Sequence, residues 1–481
     1  MDGPPRRFPR RIRQEARRSV ERPAGRRPLV LRGGDGAPAD PQGRRRHGSS
    51  RQQGRARPHR RDQGRRPVDG PAGGRPRDPG PRRHGRQRGW PDGLLLHAQP
   101  LRPPHRWAGG SAHEPARQDQ DRRIRRLQRT LKEHRMKALR YYGARDIRHE
   151  SMDDPTPQSD RDAIVKVDAC SICGSDLHIY HGHGFSEDIG FCVGHEAVGE
   201  VVEVGRGVHR LKVGQKVMIP AAVGCGACRS CLAGVVNTCE NNGSGCYGLS
   251  AKLQGSQAEA VRVPAADANA VAIPEGVSTE QALMMTDALA TAWFGARQAD
   301  IRPGSSVGII GLGPIGLMAA ESAFVMGAHV VYAIDPVPER RAIAESLGAI
   351  ALHPDEASAR IKEDTHGRRL DCVVEVVGSD ATVDMALRLV RVRGTVSVIG
   401  VQQSRRFPFP LERAFAGGLT FRVGTCSVPE ELPALFPLVA SGRLRPERYI
   451  SHRLPLSQGA EAYRMFEARE AGALKMVLVP D

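Results

Sequence analysis

The chain reads as an α/β protein: a β-rich unit, then a doubly wound parallel sheet, both behind a long basic extension. Three observations carry this reading. Residues 163–275 hold many short strands with glycine turns and no long helical period. Residues 285–425 alternate apolar β-branched runs with helical periods. Residues 1–135 are rich in Arg, Pro, Gly, Gln and His and poor in Ile, Val and Phe, a composition that does not bury enough apolar surface to offset its ordering entropy.

The charge divides along the same line. Of 72 lysines and arginines, 37 lie in residues 1–135, against 13 acids there, and Lys132 is the only lysine among them. From residue 136 onward 35 basic side chains face 40 acids. The net charge of +19 therefore describes the extension and not the rest. Residues 1–135 are expected to be disordered. Arg-rich, Lys-poor text of this kind resembles GC-rich DNA translated upstream of a true start, or out of frame with it. A solvated basic tail and a nucleic-acid-binding arm are the other readings. Phe8, Trp90 and Trp107 are the only aromatic residues there, too few for a stacking platform. The N-terminus has arginines but no apolar core of a secretory signal. The most apolar run, Val307 to Ala320, is broken by glycines and Pro314 and does not span a bilayer.

The elements follow in order. Met136 to Tyr142 opens as a strand, and the polar loop Ser151 to Asp162 leads to a second, Ala163 to Ala169. Val198 to Val204 and Lys216 to Pro220 continue the β-rich unit. Val307 to Gly311 is a buried strand, Ile315 to Met326 a helix, and Val330 to Asp335 the next strand. Arg340 to Leu347 is helical; Cys372 to Val377 and Gly394 to Gly400 are strands. The tail carries two helical pieces and the strand Lys475 to Val479, which is free to return to the first unit. The boundaries read 1–135, 136–285, 286–428 and 429–481.

Three constellations carry chemistry. Cys225, Cys228, Cys231 and Cys239 fall within fifteen residues, three of them at C-x-x-C spacing. Four thiolates close a tetrahedral shell with no open position, so residues 225–239 read as a structural zinc lobe. Cys173 and His195, each beside a glycine, supply two ligands of an open metal site; on spacing alone both also read as core residues. Gly311-Leu-Gly313-Pro314-Ile315-Gly316 sits between an apolar strand and an apolar helix and is trailed by Asp335. Backbone N–H groups at the helix start take a pyrophosphate, and Asp335 takes ribose hydroxyls. An acid at 335 favours NAD over NADP, while Arg340 and Arg341 pull the other way. A closed metal site, an open one and a dinucleotide loop together point to metal-assisted hydride transfer. The other five cysteines read as packing residues, and ten cysteines in this pattern suit a reducing, cytoplasmic setting.

With these motifs in view, residues 136–481 resemble the zinc-containing medium-chain alcohol dehydrogenases. The resemblance rests on Gly194-His195-Glu196 with Gly199, Gly205 and Val208, the four-cysteine lobe, Gly214-Gln-Lys-Val and the Gly-Leu-Gly-Pro-Ile-Gly turn. It implies a GroES-like catalytic domain, a Rossmann domain and a tail that returns to the catalytic domain. It also implies two zinc ions per chain, NAD as cofactor, a small alcohol or aldehyde as substrate, and a homodimer or homotetramer. Cys173 and His195 become catalytic zinc ligands. Asp287 stands where many members carry a third, cysteine ligand; it reads as a ligand or as a helix N-cap. Asp287 and the segment 253–259 look like the glutathione-independent formaldehyde dehydrogenase branch; a polyol or threonine dehydrogenase is a further possibility. Asp176 resembles the carboxylate that orients the zinc histidine. Glu196 is implied as a transient or substitute ligand. Ser175 and His178 match the hydroxyl and the outer base of a proton relay, although His178 also reads as a surface histidine near His181 and His183. Thr291 and Val377 are implied to position the nicotinamide.

Overall fold

Alternating apolar and polar positions pack the first half into antiparallel sheets. The computed structural model describes residues 135–241, 245–402 and 406–481. The extension up to residue 134, with its expected disorder and its alternative reading as a nucleic-acid arm, lies outside the described residues. β1 (Met136–Gly143) pairs with β2 (Asp146–Met152) and with β4 (Phe191–Cys192). A seven-stranded sheet forms the body of this half. It is built from β3 (Ala163–Ile172), β5 (Glu196–Val204), β6 (Lys216–Ile219), β9 (Ala260–Val263), β10 (Val271–Ala272), β17 (His452–Pro455) and β18 (Met476–Val479). Its order is β10-β6-β5-β3-β18-β17, with β9 also pairing with β3. Val165, Val201, Ile219 and Leu478 of this sheet share one core with Leu139 of β1. A hairpin of β7 (Ala222–Val223) and β8 (Gly245–Cys246) brackets the cysteine lobe.

The tail is part of this sheet. β18 runs antiparallel to β3, with Leu478 opposite Cys170, and parallel to β17, with Leu478 opposite Leu454. The last four-residue strand therefore closes a sheet begun some three hundred residues earlier.

The second half is a six-stranded, all-parallel sheet. Its strands are β11 (Ser306–Ile310), β12 (Val330–Ile334), β13 (Ile350–Leu352), β14 (Leu370–Glu375), β15 (Val390–Val398) and β16 (Thr420–Val423), in the order β13-β12-β11-β14-β15-β16. Numbered within the sheet this is 3-2-1-4-5-6, the dinucleotide-binding order, whose switch point lies between β11 and β14. The predicted α/β architecture, a β-rich catalytic half and a Rossmann half, is the one observed. Two helices that the sequence reading left out complete the alternation, Pro354–Asp364 and Asp380–Leu389. Each begins with a reciprocal cap, His353 with Glu356 and Ser379 with Thr382, a local signal that does mark them.

Two helices join the halves. α1 (Thr279–Met285) starts on a Ser278–Gln281 capping box, and α2 (Ala288–Gln298) follows after Thr286 and Asp287. Leu283, Met284 and Leu289 are fully buried in one core with Val198 and Met218 of the first sheet and Val307 and Val374 of the second. This continuous core seats α1 on β3 and β5, and α2 starts shortly after α1. Leu478→Ala should cost about 2–5 kcal/mol, because the strand is buried on both sides and the cavity cannot collapse. Urea denaturation followed by circular dichroism checks this; an unmoved midpoint would contradict the role given to the tail.

Candidate functional site

Three chain segments bring one ligand each to a single point. Cys173 follows β3, His195 precedes β5, and Asp287 precedes α2. The Cys173 Sγ, a His195 ring nitrogen and an Asp287 carboxylate oxygen all lie within 4.8 Å of one another. Sγ is 3.3 Å from Asp287 Oδ2, and His195 Nε2 is 3.6 Å from the same oxygen. Cys173 and His195 are buried; Asp287 is the least buried of the three. Asp287 holds the N-cap position of α2, yet its side chain makes no capping bond. Its Oδ1 instead accepts the Thr291 hydroxyl at 3.0 Å. Burial works against the Asp287 carboxylate, but the His195 hydrogen bond, the His195 charge and the Lys475 charge bring it down to about 2. One sulfur, one imidazole nitrogen and one carboxylate oxygen at this separation fit a divalent zinc.

A buried polar array orients the imidazole. Asp176 Oδ1 is 3.0 Å from His195 Nδ1, which directs Nε2 toward the ligand cluster. Asp176 Oδ2 accepts the Cys173 backbone N–H at 2.9 Å and the Gln257 amide at 3.4 Å. Gln257 also donates to the Ser171 carbonyl at 3.1 Å and accepts the Tyr463 hydroxyl at 2.9 Å. The close fit explains Gly194, whose φ is +88° and whose added Cβ would meet Gln257 at 2.3 Å. Sequence reasoning missed Gln257 and Tyr463.

Ser175 and His178 behave differently from each other. Ser175 Oγ lies 3.4 Å from His195 Nε2, at the ligand cluster. His178 sits farther along the short helix Asp176–Tyr180. Burial, helped by the charges of His181 and His183, lowers its pKa below the ordinary 6.5. Glu196 does not join the three gathered ligands. Its Oε2 accepts the Ser171 hydroxyl at 2.5 Å and pairs with the fully buried Lys475 ammonium. Lys475 also donates to the Ile172 carbonyl at 3.2 Å. This lysine, directly before the last strand, was not singled out by sequence reading.

The four-cysteine lobe is equally compact: Cys225, Cys228, Cys231 and Cys239 bring their sulfurs within 4.8 Å of one another. Backbone N–H groups of Ala227 and Cys228 point at Cys225 Sγ, at 3.4 and 3.3 Å. The first of these bonds is the chief reason its thiol is lowered to about 6, the direction a metal thiolate requires.

The glycine loop lies at the switch point of the parallel sheet. Gly311, φ +92°, turns the chain out of β11, and Gly313 caps α3 (Pro314–Val325). A Cβ on Gly316 would sit 1.8 Å from the Gly311 carbonyl, so the helix can start only with glycine there. A Cβ on Gly313 would meet nothing within 4 Å, which leaves room beside the helix start. Ile315 packs against the core under the loop. Val377, half exposed beyond β14, leans over Gly311. Asp335 Oδ2 accepts the Leu312 N–H at 2.7 Å and Oδ1 the Val337 N–H at 2.8 Å, so one carboxylate ties the loop to the end of β12. Arg340 approaches that carboxylate at 3.8 Å.

Comparison with known proteins agrees with this geometry. Residues 159–275 match the alcohol dehydrogenase GroES-like domain and residues 314–441 the zinc-binding dehydrogenase domain. A zinc-binding alcohol dehydrogenase of Mycobacterium tuberculosis is 41% identical over 347 residues, 72% of this chain and 89% of that protein. The crystallised alcohol dehydrogenase TADH from Thermus sp. ATN1 is 41% identical, with a TM-score of 0.68 over 72% of this chain and 100% of its own. A zinc-binding dehydrogenase from Sinorhizobium meliloti 1021, solved bound to NADP, is 30% identical with a TM-score of 0.63, over 72% of this chain and 100% of its own. Convergent ligands, a dinucleotide sheet and these similarities lead to one conclusion: the chain belongs to the zinc-containing medium-chain alcohol dehydrogenase family.

Proposed function

We propose that this zinc-dependent alcohol oxidoreductase passes a hydride between a primary or secondary alcohol, or an aldehyde hydrate, and NAD. The observation that carries the reading is the meeting of Cys173, His195 and Asp287 at one point. These three residues would hold a catalytic zinc, and the four cysteines of the lobe a structural one. A bound zinc supplies Lewis-acid activation of the substrate oxygen.

The chain's own residues do the rest. Asp176 fixes the His195 tautomer, and Thr291 fixes the Asp287 carboxylate. Ser175, at the ligand cluster, takes the substrate proton as it gives up its own, and His178 is the outer base that exchanges the released proton with solvent. The lowered pKa of His178 keeps its imidazole neutral at pH 7, the form that accepts a proton. The Gly311–Gly316 loop takes the pyrophosphate, and Val377 shields the cofactor. Asp335 favours NAD over NADP, because an acid at that position repels a 2′-phosphate.

A formaldehyde or polyol dehydrogenase is the second reading, favoured by the carboxylate ligand Asp287. A homodimer or homotetramer goes with either, since β16 ends the parallel sheet and leaves Val423 exposed at its edge. A cytoplasmic setting is in keeping with ten unpaired cysteines. No helix among the described residues is long and apolar enough to cross a membrane.

Elemental analysis of the purified protein should return two zincs per chain, and Asp287→Ala should keep one while losing at least about a hundredfold in activity. Gln257→Leu should weaken retention of the catalytic zinc about 10–100-fold in a chelator competition, by releasing Asp176. For His178→Gln, the rate of alcohol oxidation should fall most below pH 7 and recover as pH rises; a profile parallel to that of the unaltered enzyme would remove His178 from the relay. A substrate panel read by NADH absorbance distinguishes alcohol, polyol and formaldehyde chemistry.

A further inference from the structure

The cysteine lobe is bonded to a segment that runs beside the candidate catalytic ligands. Val236 N–H donates to Ser427 Oγ at 3.0 Å, and Ser427 Oγ donates to the Gly234 carbonyl at 2.7 Å. Asn237 Nδ2 donates to the Thr425 carbonyl at 2.8 Å and to its hydroxyl at 3.1 Å. Ser427 and Asn237 are both buried, so these bonds are shielded from water. Residues 424–427 follow β16 at the carboxyl end of the sheet, and Gly424 N–H still reaches the Val398 carbonyl. Cys426, in their midst, lies beside Thr291 and within reach of the Asp287 charge; burial first, then the Glu431 charge, pushes its thiol well up. Arg297 of α2 pairs with Glu430 and Glu431 just beyond, so the segment is held to α2 on that side as well.

Position in the sheet says which part of a cofactor comes here. Asp335 and the glycine loop stand on β12 and β11. Residues 424–427 stand on β16, four strands and about 19 Å from β12. A dinucleotide anchored by its adenosine at Asp335 and laid along the carboxyl ends of the strands toward Asp287 would extend toward residues 424–427. The lobe itself has almost no core: Cys228, Cys231, Val236 and Cys239 are its buried apolar residues. A cross-link through its four sulfurs is what lets so small an excursion hold a shape.

We propose that the four-cysteine lobe is a positioning device for the nicotinamide end of the cofactor, acting through Asn237 and Ser427 on residues 424–427. This rests on the cofactor reading above.

The test compares NADH with ADP-ribose, which shares the adenosine and pyrophosphate but lacks the nicotinamide. Both are titrated calorimetrically into the full chain and its Asn237→Ala/Ser427→Ala variant, with zinc content measured alongside. Loss of these shielded bonds should raise the NADH Kd about tenfold, with the ADP-ribose Kd held within about twofold and the zinc content intact. Ser427→Ala alone, which removes only a hydroxyl, should move NADH in the same direction by about threefold. An unchanged NADH Kd, or an equal loss for both ligands, would overturn the proposal. Failure of the unaltered chain to bind either ligand would instead overturn the cofactor reading, and the proposal with it.

Discussion

Asp287 is the residue on which the two halves of the molecule depend. Its carboxylate faces Cys173 and His195 of the β-rich half, while its backbone begins α2, which packs on the parallel sheet. A carboxylate in a buried site beside a thiol and an imidazole is costly unless a cation compensates it. A divalent ion shared with Cys173 would meet that requirement and would join the halves in the same act. On the proposed function the catalytic cleft would then form where the halves meet, with the glycine loop at the switch point of one and Cys173 and His195 at strand ends of the other.

Lys475 shows how charge is balanced behind this site. It is fully buried and pairs with Glu196, next to the His195 ligand. Leaving either charge without its partner would cost several kcal/mol, since neither reaches water. The pair gives one Glu196 oxygen a partner other than the three gathered side chains. It also explains why the final strand matters: β18 begins at Met476, so insertion of that strand beside β3 carries Lys475 under the site.

Much of this was legible in the sequence because it is local. The lobe cysteines, the glycine loop and Asp335 announce themselves by spacing, and the strand–helix alternation gives the parallel sheet. The resemblance supplied Asp287 as an alternative to a helix cap, and the structure has it at the cap position with its carboxylate at the ligands. What was not legible is tertiary. Gln257 lies 81 residues from Asp176, and Lys475 lies 279 from Glu196; no periodicity connects them. The resemblance implied Glu196 as a transient or substitute ligand; its pairing with Lys475 is a contact that only the folded chain shows. The side-by-side placement of the lobe and residues 424–427 likewise exists only in the folded chain.

Anomalous diffraction at the zinc edge from crystals of the purified protein tests the central claim most directly. The account predicts a peak about 2.0–2.3 Å from Cys173 Sγ, His195 Nε2 and an Asp287 oxygen, with Glu196 still on Lys475. A peak held by Glu196 with Asp287 turned away, or no peak between these residues in active protein, would contradict it.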